Sequence, residues 1–318
     1  MGPVQAMHCV HCYTQKEPIF NPALSSSYHN VSCSSPVCDS LGGLQGSCSD
    51  STCGYSVGYG DTSTSQGFIA KEKFTLTSSD VFDGVNFGCG ENNRGDYYEG
   101  VAGLLGLGPG QLSFPSQTAK TYNKIFSYCL PSSVSNTSGH LTFGSTGISK
   151  SVKFTPVSSS PSKDFYYLNI VGITVCDKQL EIPSIESSTP RAIIDSGTVI
   201  TRLPPKTYAA LKSAFKEKMS KYTITSSGDS ELDTCYDFTG LKEVTIPKIA
   251  LSFSGGTVVE LDPKGILYSS SERSKVCLAF AEYPDDNVAI FGSVQQQTLQ
   301  VVYDGVGGRV GFAPNGCS

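Results

Sequence analysis

Two apolar segments interrupted or closed by glycine, Val101-Ala102-Gly103-Leu104-Leu105-Gly106-Leu107-Gly108 and Ala289-Ile290-Phe291-Gly292, constrain this chain more than any other feature. They read as one element used twice. Runs of this kind are buried strands, with glycine where another stretch of backbone comes close. A chain that repeats such a strand in its two halves is a duplicated β protein. The rest of the sequence agrees: short stretches rich in Val, Ile, Phe and Tyr alternate with Gly, Ser, Thr and Pro, the pattern of short strands joined by tight turns. At 318 residues the chain exceeds one typical core, so two lobes are expected, 1–150 and 151–318, divided near the polar stretch Pro156–Asp164. The clearest helix is expected from Pro204 to about Tyr222, where Tyr208, Leu211, Phe215, Met219 and Tyr222 share one face that caps a sheet. The class is mainly β, bilobal, with a few short helices.

Composition narrows the setting. Only 16% of residues are charged, the net charge is −5 and like charges never cluster, which excludes nucleic acid as a partner. No stretch is apolar and long enough for a membrane helix, and Met1-Gly2-Pro3 does not open a signal peptide. Twelve cysteines, six of them between Cys9 and Cys53, belong in an oxidising compartment. The sequons at Asn30 and Asn136 point the same way, to a secreted or vacuolar glycoprotein.

The chemistry concentrates at Ala192-Ile193-Ile194-Asp195-Ser196-Gly197-Thr198. A buried apolar strand leads into Asp195, and Ser-Gly then forces a turn that presents the carboxylate. Asp195 precedes Gly292 by 97 residues. A duplicated lobe would place its own Asp equally far before Gly106, near the start of the chain. Residues 1–38 hold Glu17 as their only acid, and the first Asp is Asp39. Asp61-Thr62-Ser63 lacks both the glycine and the preceding apolar strand, so it does not supply the missing acid. Other chemistries find no support. The elbow Gly-x-Ser-x-Gly is absent, and Gly106-Leu107-Gly108-Pro109-Gly110 has no following Lys to make a phosphate loop. His8-Cys9-Val10-His11-Cys12 has no second Cys/His group at matching spacing to complete a zinc site. No metal or cofactor is expected.

The Asp195-Ser196-Gly197-Thr198 loop, the paired apolar-glycine strands and Gly58-Tyr59-Gly60-Asp61 together resemble the pepsin-like aspartic peptidases. The cysteine-rich first lobe, with Phe87-Gly88-Cys89-Gly90, Phe126-Ser127-Tyr128-Cys129-Leu130 and Val276-Cys277-Leu278-Ala279-Phe280, resembles their plant nepenthesin-type branch. The resemblance implies a hydrolase of polypeptides with a substrate cleft between two lobes. It acts at acid pH as a monomer in the apoplast or vacuole, with an activated water as nucleophile. Asp195 is then one of two catalytic acids, Thr198 bonds its carboxylate, Ser196 braces the active loops, and Tyr59 is the tyrosine of a flap over substrate. The flap departs from the family pattern in having Thr62 where glycine follows Asp61.

By the same resemblance Cys12 pairs with Cys89, Cys33 with Cys53, Cys38 with Cys48, Cys129 with Cys317, and Cys235 with Cys277. That leaves Cys9 and Cys176, one or both of them free thiols. The first catalytic Asp falls a few residues before Met1. Two readings follow: a peptidase whose first acid lies outside these residues, or a non-catalytic homologue that binds peptides or a partner protein as an inhibitor does.

Overall fold

The computed structural model describes all residues except 1, 8, 42–47, 96–99, 133–136, 160–163, 181–190, 227–230, 270–274, 286–287 and 318. The chain divides into two compact units, Met1–Thr121 and Tyr122–Ser318. The division falls ahead of residue 150 because the strand Ile125–Cys129 is drawn into the second unit. It pairs antiparallel with Gln300–Asp304 in a five-stranded sheet that also takes His140–Phe143, Arg309–Ala313 and Lys153–Pro156.

In the first unit the three long strands Thr52–Gly58, Thr64–Thr75 and Val81–Arg94 form an antiparallel meander. Successive residues of a strand face opposite sides. Ile69 accordingly joins Val31, Leu41, Cys53 and Tyr55 in one core cluster, while Ala70 joins Ala6, Phe87 and Cys89 in another. The strand Pro3–Gln5 lies parallel to Val81–Arg94, with Val4 opposite Cys89, and its other side meets Gly103. There Leu104 N–H donates to Pro3 O at 2.9 Å and Gln5 N–H to Ala102 O at 3.2 Å. A Cβ on Gly103 would come within 2.3 Å of Pro3 O, which explains glycine in this apolar run.

The second unit repeats that arrangement and extends it. Its largest sheet runs Thr257–Glu260, Ile249–Phe253, Tyr167–Val175, Arg191–Ile194, Val288–Phe291, Thr201–Leu203, Phe280–Glu282. Thr201–Leu203 is parallel to Phe280–Glu282 and antiparallel to Val288–Phe291, the same neighbours that Pro3–Gln5 has in the first unit. Val288–Phe291 pairs on its far side, in parallel, with Arg191–Ile194. It therefore passes between the two arms of the chain that flank Asp195. Beyond it, Gly292 touches the returning arm, and a Cβ there would lie 2.7 Å from Ile200 C and 2.8 Å from Thr201 N. No side chain fits between two backbones that close.

The helix spans Pro205–Lys218. Two prolines start it where no N–H is needed. Its buried stripe is Tyr208, Leu211 and Phe215, continued by Met219 at the C-cap. Tyr222 lies past the helix end, in a turn where its N–H donates to Met219 O.

The cysteine pairing differs in part from expectation. Cys129 is bonded to Cys317 and Cys235 to Cys277. In the first unit the bonds are Cys33–Cys48 and Cys38–Cys53, not Cys33–Cys53 and Cys38–Cys48. The reason is burial: Cys53 sits inside the Val31 cluster, which Cys38 reaches from the short helix Pro36–Asp39, whereas Cys33 stays at the rim with exposed Cys48. Cys12 bonds Cys9 rather than Cys89. The free thiols are Cys89, enclosed with Ala6, Ala70 and Phe87, and half-buried Cys176.

Two outcomes follow. Burial pushes the Cys89 thiol up to about 11, so at neutral pH it is a neutral, enclosed and unreactive group. Alkylation of the native protein should modify Cys176 and reach Cys89 only on unfolding, and mapping without reduction should return Cys33–Cys48 and Cys38–Cys53; a Cys12–Cys89 link would contradict this. Gly292→Ala should lower stability by about 2–3 kcal/mol, read as a fall in the urea midpoint, because the clash is with backbone that has no room to retreat.

Candidate active site

The sequence around Asp195 folds as an apolar strand followed by a turn. Ala192 and Ile194 are buried. The strand is fixed on both edges, antiparallel to Tyr167–Val175 and parallel to Val288–Phe291, with Ile194 opposite Phe291. Asp195 extends this register by one bond, its N–H donating to Phe291 O at 3.1 Å. The turn then folds back on the side chain. Gly197 N–H donates to Asp195 Oδ1 at 2.8 Å and Thr198 Oγ1 to Oδ2 at 2.7 Å. Both carboxylate oxygens thus accept from the loop, and the plane of the acid is set by residues two and three positions on. Asp195 is half-buried, while Ser196 and Gly197 are exposed.

The returning arm is fastened to the segment after Gly292. Ser293 N–H donates to Thr198 O at 2.7 Å and Val294 N–H to Val199 O at 3.0 Å. Thr201 Oγ1 accepts from Gly292 N–H at 3.0 Å, and Thr201 N–H donates to Gln295 Oε1 at 3.0 Å. Gln295 Nε2 donates to both Gly265 O and Ala279 O at 2.7 Å. A buried glutamine amide leaves a costly orphan unless such partners exist. Here every one is met.

Asp195, Ser196, Gly197 and Thr198 therefore come together in one loop of the second unit. Tyr59 belongs to the first unit, at the turn between Thr52–Gly58 and Thr64–Thr75. Tyr59 N–H donates to Ser63 O at 2.9 Å and Thr62 N–H to Tyr59 O at 3.0 Å, which makes a tight turn. Thr62 takes φ +71°, the left-handed conformation that glycine adopts freely and a branched residue holds at a cost of about 1–2 kcal/mol. Asp61 supports the turn. Its Oδ1 accepts from the Ser63 hydroxyl and from Ser63 N–H, and these bonds hold its carboxyl below the ordinary range.

Gln295, Gln296 and Thr201 were not singled out by the sequence reading. The signal was present in Gln295-Gln296-Gln297, a polar run wedged between two apolar strands, but its partners lie up to 168 residues away.

Two family models match, described as xylanase inhibitor N-terminal over residues 4–145 and xylanase inhibitor C-terminal over residues 165–314. An aspartyl protease family protein of Arabidopsis thaliana is 69% identical over 99% of this chain and 67% of its own length. Aspartic proteinase nepenthesin-2 of Nepenthes gracilis is 38% identical over 98% of this chain and 72% of its own. The chain spans about two thirds of the length of the first of these relatives, as it does of Arabidopsis aspartyl protease AED1 at 64%. Among solved structures, basic 7S globulin from soybean superposes with a TM-score of 0.74 at 18% identity, covering 98% of this chain and 84% of that one, a likeness of fold. With the resemblance of its motifs, its mainly β bilobal fold and these relatives in agreement, the chain belongs to the plant pepsin-like aspartic peptidase family.

Proposed function

We propose that these residues carry one half of an aspartic peptidase centre, Asp195 in its Ser-Gly-Thr loop, directed at polypeptides under acid conditions. The observation that carries this reading is the double hydrogen bond to the Asp195 carboxylate from Gly197 and Thr198. A carboxylate clamped at both oxygens by its own loop has a fixed direction in which its remaining lone pairs point. Peptide hydrolysis then needs a second acid. One ionised carboxylate draws a proton from water while a protonated partner polarises the scissile carbonyl, and a single group cannot do both. The division of roles arises from repulsion between two close carboxylates, so it belongs to the pair. On this reading Asp195 is one acid of that pair.

Ser196, exposed beside Asp195 with its side chain bonded to Tyr128, is assigned the brace between active loops, and Tyr59 the flap tyrosine. The five cystine bonds fit the cell exterior or the vacuole. Secretion as a monomeric glycoprotein is part of the proposal. Asn30 is exposed at an edge strand where a glycan has room, while Asn136 lies outside the described residues.

A second reading has its own observation. Both matching family models are described by inhibitors, and one carboxylate suffices for a protein that binds a peptide or a partner without cutting it. The deciding experiment is acid proteolysis of a denatured protein substrate by the purified chain, beside Asp195→Ala and with a transition-state inhibitor of aspartic peptidases. No cleavage is expected. Inhibitable cleavage that disappears in Asp195→Ala would overturn the half-centre reading. Retention of the uncut substrate by the folded chain would favour the second reading over the first.

A further inference from the structure

Beneath the Asp195 loop runs a line of buried polar side chains that the acid chemistry leaves unused. It begins at the Phe291 carbonyl, which accepts twice: from Asp195 N–H at 3.1 Å and from Gln296 Nε2 at 2.7 Å. Gln296 is fully enclosed, at 0% exposure. Its Oε1, which can only accept, is met by the Tyr128 hydroxyl. That commits the single Tyr128 proton, so the Tyr303 hydroxyl, 3.3 Å away, must donate to Tyr128. The direction of the whole line is fixed: Tyr303 to Tyr128 to Gln296 to the carbonyl that also takes Asp195.

The rings leave these hydroxyls little freedom. Tyr303 stacks on Phe126 with centroids 4.4 Å apart, and Tyr166 packs on it at 4.7 Å. Tyr166 in turn accepts Ile194 N–H at its carbonyl, 3.1 Å, one residue before the acid. Burial pushes both phenols well above the ordinary tyrosine range, and the nearby Asp195 charge adds to this in each case. They stay protonated donors throughout the acid and neutral range.

We propose that Gln296 and Tyr128 are positioning residues for Asp195: the phenol holds the amide at its oxygen, and the amide fixes the carbonyl against which the Asp195 N–H is set. The proposal rests on the reading of Asp195 as a catalytic-type acid, but its test needs no activity, so the two fail separately.

The test is a double-mutant cycle on the folded 318-residue chain with Tyr128→Phe, Gln296→Met and both together, read by amide hydrogen exchange and by the amide proton shift of Asp195. Each single change leaves a buried partner unpaired, and the double change removes the pair together. Each single variant should speed exchange at Asp195 and Gly197 about tenfold and move the Asp195 amide resonance, with Ile249–Phe253 unaffected. The double variant should exchange no faster than the faster single. Additive effects, an unchanged Asp195 and Gly197, or equal loss of protection across the unit would overturn the proposal. Should Tyr128→Phe not fold, Gln296→Met is compared with Gln300→Met, a buried glutamine of the same unit whose amide bonds Ser149 N–H and Gly147 O instead. Faster exchange at Asp195 in the first alone supports the assignment, and the same change in both defeats it.

Discussion

The close backbone approach at Phe291–Gly292, where a Cβ would lie 2.7 Å from Ile200 C, is the constraint on which the site depends. A strand that runs between two arms of the same chain must be flanked by backbone on both sides, so the residue at its exit can carry no side chain. Once that passage is made, the rest follows with little freedom. The parallel partner fixes the register of Asp195, the antiparallel partner returns the loop, and Thr201, Ser293 and Val294 fasten the return. The carboxylate then meets its own glycine and threonine. An acid held in this way is oriented by the fold rather than by a bound ligand, which is what preorganisation at a reacting centre requires.

Much of this was legible in the sequence. The apolar run into Asp195, the glycine-closed strands, the mainly β class and the helix with Tyr208, Leu211 and Phe215 inward all rest on local periodicity, which a single strand or helix displays by itself. The turn at Ser196-Gly197 rests on local turn chemistry, while the Thr198 contact came from the loop's resemblance to known active loops. What was not legible depends on where distant segments meet. Cys38 and Cys33 are five residues apart, and only the depth of Cys53 in the Val31 cluster decides which of them bonds it. Gln295 and Gln296 look alike in sequence, yet one fastens Thr201 and the other Phe291. Tyr222 follows the helical spacing but falls after Met219 has ended the helix. Periodicity does not register a stop signal that consists only of a changed backbone.

The two units differ in a way that bears on chemistry. Pro3–Gln5 holds in the first the place that Thr201–Leu203 holds in the second, between a parallel strand and an apolar-glycine strand. The second unit has in addition Arg191–Ile194, the strand that delivers the acid. Among the described residues of the first unit no strand takes that place. Burial reflects it. Val101 and Leu105 are exposed in the first apolar-glycine run, while Ala289 and Phe291 are enclosed in the second.

Asp195 is held at both carboxylate oxygens by its own loop, and the half-centre proposed for it requires a second carboxylate for hydrolysis. The most direct measurement adds the second: a segment patterned on Ala192–Thr198 placed before Pro3, in an Asp version and an Asn twin, each assayed for acid cleavage of a denatured protein. Cleavage by the Asp version, blocked by a transition-state inhibitor and lost in the Asn twin, is the expected result. Cleavage by both versions, or none from a folded Asp version, would contradict it.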